Sequence, residues 1–318
     1  MSIDLHLSAS LTNQITSIEE PKKFNVKYNS IEDIELQMND LQELESSTNR
    51  LHSNLKHYLV CTNHINERVR YILLDWLIEL SSLIGYKRST YHLSSVLVDL
   101  YLSKKPNTPL SELQLVGVTC LVIAGKYEER VLYSLRLFVQ STLSTFSETQ
   151  IIECEIDILT TLGWKIKYPS LYTWADEVMC KWDDFSESNK HLKLPKFRGS
   201  TKENNCLYKN FCLLIDVISL DYYHLFINEK YICSSILFLL LGICLNCFNM
   251  ADIINDFVNA NLNDIFFSFS NLFDNFLRET YNTTFEEINQ TIKYICVFFN
   301  MKFDYTQTKH KGKVSSIK

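Results

Sequence analysis

The sequence predicts an all-α protein built of two consecutive five-helix folds, and three observations carry that reading. Glycine and proline are scarce, 7 and 5 in 318 residues, too few for the turns of an all-β chain or for low-complexity structure. From Glu67 onward, apolar residues recur at i, i+3, i+4 and i+7. Five such segments end near Pro169, and the rhythm then begins again and gives five more. A hydrophobic content of 46%, with 13% aromatic residues, is ample for a core in each unit.

Residues 1–50 are rich in Ser, Thr, Asn, Gln and Glu and read as a flexible arm, with IEDIELQMNDLQELE as a segment able to turn helical. The first unit is expected over 51–168. Its first helix carries Val69, Ile72, Leu73, Trp76, Leu77 and Leu80 on one side and stops at Gly85, a residue suited to a helix C-terminus. HLSSVLVDLYLS is the second helix, halted by KKPNTP, where Thr108 is a candidate N-cap and Pro109 a natural first helical residue. LSELQLVGVTCLVIAGKYEE, the third, is apolar almost all round, as a helix enclosed by neighbours would be. SLRLFVQ makes a short fourth. ETQIIECEIDILTTL makes the fifth, opened by a Ser147–Gln150 capping box and closed by Gly163.

The second unit is expected over 169–305, followed by a tail at 306–318. It begins with a helix in LYTWADEVMCKW, carries a polar insertion from about Asp183 to Asn205, and continues with helices near 206–220, 228–247, 262–281 and 284–301. The uncharged run YICSSILFLLLGICLNCFNM has nearly the length of a membrane span. It contains Ser234, Ser235 and Asn246, lacks basic flanks, and falls where the enclosed third helix of this unit belongs, so membrane insertion is not expected.

A formal charge of −6 with no basic cluster argues against nucleic acid as the main partner and leaves another protein as the natural one. No secretory pattern opens the chain, so the cell interior is the expected compartment, and the 10 cysteines are expected to be reduced and packed. Phosphate-binding, zinc-protease, hydrolase and dinucleotide motifs do not occur. Cys244 and Cys247 form a CxxC without a second pair at zinc spacing, so they read as packed thiols, and neither metal nor cofactor is expected. His52, His57 and His64 share no helical face, and Glu128, Glu129, Glu153 and Asp157 read as solvated helix faces rather than acid–base pairs.

The segments VRYILLDWLIEL, SVLVDLYLS, LQLVGVTCLVIAGKYEE and QIIECEIDILTTLGWKIKYPSLYTW, in that order, resemble the cyclin box, specifically that of the mitotic B-type cyclins. The likeness runs from Glu67 to about Tyr172 and continues faintly through SLDYYHLF and the tail TQTKHKGKVSSI. Arg70, Asp99, Leu115, Lys126 and Glu155 match the five residues that define the box. Arg70 and Asp99 sit in apolar surroundings on different helices, which suits a buried structural ion pair. By resemblance, Lys126 and Glu155 face a cyclin-dependent protein kinase, with Ile123, Tyr127, Leu159, Trp164 and Ile166 around them. The resemblance also implies a groove for Arg-x-Leu segments of substrates at Val69, Ile72, Leu73, Trp76, Glu79, Leu113 and Gln114. The function it implies is that of a non-catalytic regulatory subunit acting in the G2-to-mitosis step, in nucleus and cytoplasm.

The sequence departs from the family at several points. Val69 stands for the usual groove methionine, Gly125 for a serine, Leu100 for an arginine, and the prolines that follow KYEE are missing. No arginine precedes Arg50, so an Arg-x-x-Leu destruction signal is absent from its usual place, while Lys202, Glu203 and Asn204 spell KEN, a tripeptide degron. The rival readings are a cyclin-fold transcription or scaffold protein, which would call for a zinc ribbon and a basic face, and an enzyme whose site has no recognised motif.

Overall fold

The structure, a computed structural model, describes residues 43–49, 65–131, 133–197, 202–245, 247 and 264–314, with 202–205, 264–267 and 300–314 described by backbone alone. His52, His57, His64 and most of the N-terminal arm lie outside these residues; at the end of the arm, 43–49 is helical. Among the described residues there is helix and no strand. The chain divides into two compact units, Met1–Pro169 and Ser170–Lys318.

In the first unit the helices are α1 (Glu67–Ile84), α2 (Arg88–Lys104), α3 (Leu113–Glu128), α4 (Leu135–Ser141) and α5 (Glu148–Thr161). Asn66 caps α1 by accepting the Val69 N–H at 3.0 Å, and Gly85 ends it in the left-handed region, φ 77°. Its Leu73, Leu77, Leu80 and Ile84 enter the core. Arg70 enters with them: its Nε and Nη2 each donate to Asp99 of α2 at 2.8 Å, a fork with side chains 1% and 2% exposed. From Val116 to Gly125 every residue of α3 is buried, because α1, α2, α4 and α5 all pack against it. Gly117 permits the approach of α1, since a Cβ there would lie 2.8 Å from Leu73 Cδ1. The capping box at α5 is formed by Ser147 and Gln150.

Three local readings differ from the sequence expectations. Thr108 is not a helix cap: its hydroxyl donates to the Lys105 carbonyl, and a single 3-10 turn, Leu110–Glu112, precedes α3. Glu128 and Glu129 are not simply solvated. Lys87 offers α2 no side-chain cap, so Glu129 Oε1 accepts its N–H at 2.7 Å and Glu128 Oε2 accepts from the Ser89 hydroxyl. Asp157 is likewise engaged, taking hydrogen bonds from Tyr101 at 2.7 Å and Lys105 at 2.5 Å. Burial pushes its carboxyl up, but those two donors outweigh burial and hold it below the usual carboxylate range.

The second unit contains α6 (Leu171–Ser188), α7 (Lys202–Leu220), α8 (Glu229–Cys244), α9 (Asp264–Tyr281) and α10 (Phe285–Val314). Ser170 and Thr173 cap α6 reciprocally. The helix runs past the expected start of the polar insertion because Asp183 is buried there and accepts the Phe197 N–H at 2.7 Å, while Trp182 donates to the Pro195 carbonyl at 2.8 Å. Residues 189–197 are thereby folded back over α6. The central helix is again the third: α8 contacts α6, α7, α9 and α10. Its residues from Ile232 to Leu239 are all buried, so the membrane-length apolar run serves as the core of this unit. By length and composition the described chain has one stretch apolar enough to cross a membrane, Leu110–Glu128, and most of it is core. The CxxC reading needs correction: the helix stops at Cys244, which is exposed, and Cys247 beyond it is half-buried, so the pair is not packed core.

Candidate functional site

Two helix ends of the first unit meet to build the candidate interface. Lys126 occupies the last turn of α3, where a cation complements the helix dipole. α5 packs beside α3 and brings Glu155 to it, so that Lys126 Nζ donates to Glu155 Oε1 at 2.6 Å and Oε2 at 2.7 Å. The lysine side chain is 45% exposed and the glutamate 13%. Charge therefore reaches the surface here, in contrast to the Arg70–Asp99 pair buried within the same unit.

Apolar side chains accompany the pair on α3, on α5 and in the segment that follows α5. Tyr127 is 49% exposed and Trp164 67%. Ile123 and Leu159, at 2% and 8%, are floor rather than rim, because the packing of α3 on α5 consumes them; Ile166 is half-buried. Sequence reasoning missed Ile152 and Ile156, which are 44% and 56% exposed. They lie one turn apart on α5, within about 100° of Glu155 around the helix axis at 3.6 residues per turn. The signal was legible: Ile151, Ile158 and Leu162 already supply a buried stripe, so the other two isoleucines are surplus to the core.

Trp164 is held out by backbone geometry. Gly163 and Trp164 follow α5 with φ of 64° and 61°, and the Trp164 N–H closes the helix on the Leu159 carbonyl at 2.8 Å. A left-handed backbone costs a bulky L-residue about 1–2 kcal/mol, and such strain concentrates at functional positions. Behind Lys126, Gly125 lies under the Tyr86 ring, whose phenol burial and then Glu129 push up to about 12, so it remains neutral.

The second set of sequence candidates lies on α1 and the start of α3. Leu73 and Leu113 are buried, Val69, Trp76 and Gln114 half-buried, and Ile72 and Glu79 exposed. α1 and α3 are in contact, and Val69, Ile72, Trp76 and Gln114, exposed or half-buried, lie on those two helices together with the exposed carboxylate of Glu79. Leu115 is half-buried. Lys202, Glu203 and Asn204 start α7, so their backbone is helical rather than part of a loop. Among the described residues no three His, Cys, Asp or Glu side chains converge to hold a metal ion.

Comparison with known proteins agrees with this architecture. The cyclin N-terminal domain family matches residues 39–167. The chain is 33% identical over 159 residues to the G1/S-specific cyclin-E of Hemicentrotus pulcherrimus, covering 49% of this chain and 36% of that protein. It is 32% identical over 170 residues to the G2/mitotic-specific cyclin-B of Hydra vulgaris, covering 49% and 46%. The matched region thus spans less than half the length of either relative. The X-ray structure of a viral cyclin from herpesvirus saimiri superposes with a TM-score of 0.55 at 19% identity, over 80% of this chain and 96% of that one, a likeness of fold. Residues 39–167 thus match the cyclin N-terminal domain, and the five-helix unit packed around α3 carries the residues that match.

Proposed function

We propose that this chain binds a cyclin-dependent protein kinase through the Lys126–Glu155 face and activates it in the G2-to-mitosis step, in nucleus and cytoplasm. The observation that carries the reading is a partly exposed ion pair on the two helices that also present Tyr127 and Ile156, with Trp164, beyond the end of α5, held outward on left-handed backbone. Aromatic anchors around a charged centre are the composition of an interface hot spot. The mechanism is allosteric. A kinase whose active arrangement of regulatory helix and activation loop is sparsely populated shifts to it when a partner binds that arrangement better. Taking a state from 1:99 to 99:1 requires about 5.5 kcal/mol of differential affinity. The catalytic groups belong to the kinase throughout, and this chain supplies only binding energy. Assignment to the mitotic step is supported by the B-type relatives and by the order of the box motifs; the cyclin-E relative favours a G1/S role as the second reading.

Co-expression with a mitotic and with a G1/S kinase tests both. The expected result is co-elution and histone-type phosphorylation with the mitotic kinase, lost in a folded Lys126→Ala, Glu155→Ala double variant. Activation of the G1/S kinase alone would transfer the assignment, and a folded chain that binds neither would remove the kinase reading.

The α1 surface is proposed to dock substrates carrying Arg-x-Leu, with the leucine against Val69, Trp76 and Leu113 and the cation on Glu79.

A further inference from the structure

The α1 surface does not end at Glu79. Leu83, one turn further along, is 43% exposed although the core already takes Leu80 and Ile84 beside it. At 100° per residue, Ile72, Trp76, Glu79 and Leu83 fall within about 60° of one another, a single stripe on the solvent side of the helix. Asp75 and Glu79 are both exposed at its edge, against Arg68 alone at its N-terminal end, so the middle of the stripe favours a cation. The stripe is therefore apolar, acidic, apolar in order along the helix.

Its dimensions select the occupant. Leu83 lies about 6 Å beyond Glu79 along the axis at 1.5 Å per residue. An extended peptide advances about 3.3 Å per residue, so a side chain reaching Leu83 belongs two residues from the one on Glu79. In the proposed docking mode the arginine sits on Glu79 and its leucine lies toward Trp76, so the added side chain precedes the arginine. We infer that this chain docks extended peptides of the form Φ-x-Arg-x-Leu, with Φ a large apolar residue seated on Leu83. The inference rests on the docking role proposed for α1 and adds a specificity-determining residue to it.

Fluorescence anisotropy of the full chain with two labelled synthetic peptides tests it. One carries Ser-Ala-Arg-Ala-Leu and the other Leu-Ala-Arg-Ala-Leu. The second is expected to bind about tenfold more tightly, the scale of one partly buried leucine. Leu83→Lys should erase that difference, the new cation one turn from Glu79 weakening both peptides, and helical circular dichroism controls for folding. Leu83→Ala should reduce the difference without adding charge. Equal binding of the two peptides to the unaltered chain, or an advantage that survives Leu83→Lys, overturns the inference and leaves Arg-x-Leu docking in place. If neither peptide binds, the docking role itself fails and the inference with it.

Discussion

The two ion pairs of the first unit should respond oppositely to the same mutation. Both join a cation to a carboxylate 29 residues away, Arg70 to Asp99 and Lys126 to Glu155, at distances of 2.8 and 2.6 Å. They differ in exposure: 1% and 2% for the first, 45% and 13% for the second. Asp99→Asn removes the carboxylate charge opposite a guanidinium in a site with no solvent to compensate, which costs about 3–5 kcal/mol. Against a typical domain stability of about 5–15 kcal/mol, that loss removes a large share of the total. Glu155→Gln removes the same charge where water still reaches the lysine, and costs about 1 kcal/mol or less. For kinase activation the order reverses, with Glu155→Gln folded but impaired. Urea unfolding followed by circular dichroism measures the first quantity, and kinase assays on the folded variants measure the second. Similar unfolding costs for the two variants would refute the assignment of one pair to the fold and the other to the surface. So would normal kinase activation by Glu155→Gln.

Trp164→Ala should leave the unfolding midpoint nearly unchanged, because the indole is 67% exposed and few packed contacts are lost, and should weaken kinase binding by about 2 kcal/mol or more, read by calorimetric titration. Gly125→Ala should destabilise by about 1–3 kcal/mol, since the new Cβ would meet Tyr86 at 2.6 Å, and Tyr86→Ala in the same chain should recover part of the loss in urea titration. Asp157 titrates below its unfolded value, so its contribution is fully present above the ordinary carboxylate pKa and is lost as pH falls through the lower folded value. Unfolding measured from pH 5 down to about 2 should therefore show a shallower acid-side decline for Asp157→Asn than for the unaltered chain.

The sequence by itself determined the helices and the two enclosed ones among them. α3 and α8 are apolar all round, and a helix without a polar face has to be surrounded, which the contacts of each with its four neighbours bear out. Capping at Ser147 and termination at Gly85 were equally legible, because those interactions join residues within one turn. Packing decided what depends on residues far apart in the chain. Glu129 serves the N-terminus of α2 from 42 residues away, a pairing that no local pattern encodes. Asp183 reads as polar insertion until Phe197 is folded back onto it. The candidate site divides in the same way. Periodicity placed Lys126 and Glu155 on separate helices, while resemblance to a family gave them a role; only the packing of α3 against α5 sets them 2.6 Å apart at the surface. Periodicity separates Ile156 from Ile158 by about 200° around α5, but how much of each stays exposed is a tertiary result: the fold buries Ile158 completely and leaves Ile156 56% exposed. Hydrophobicity says that a side chain will avoid water, and the neighbouring helices decide whether it has done so already.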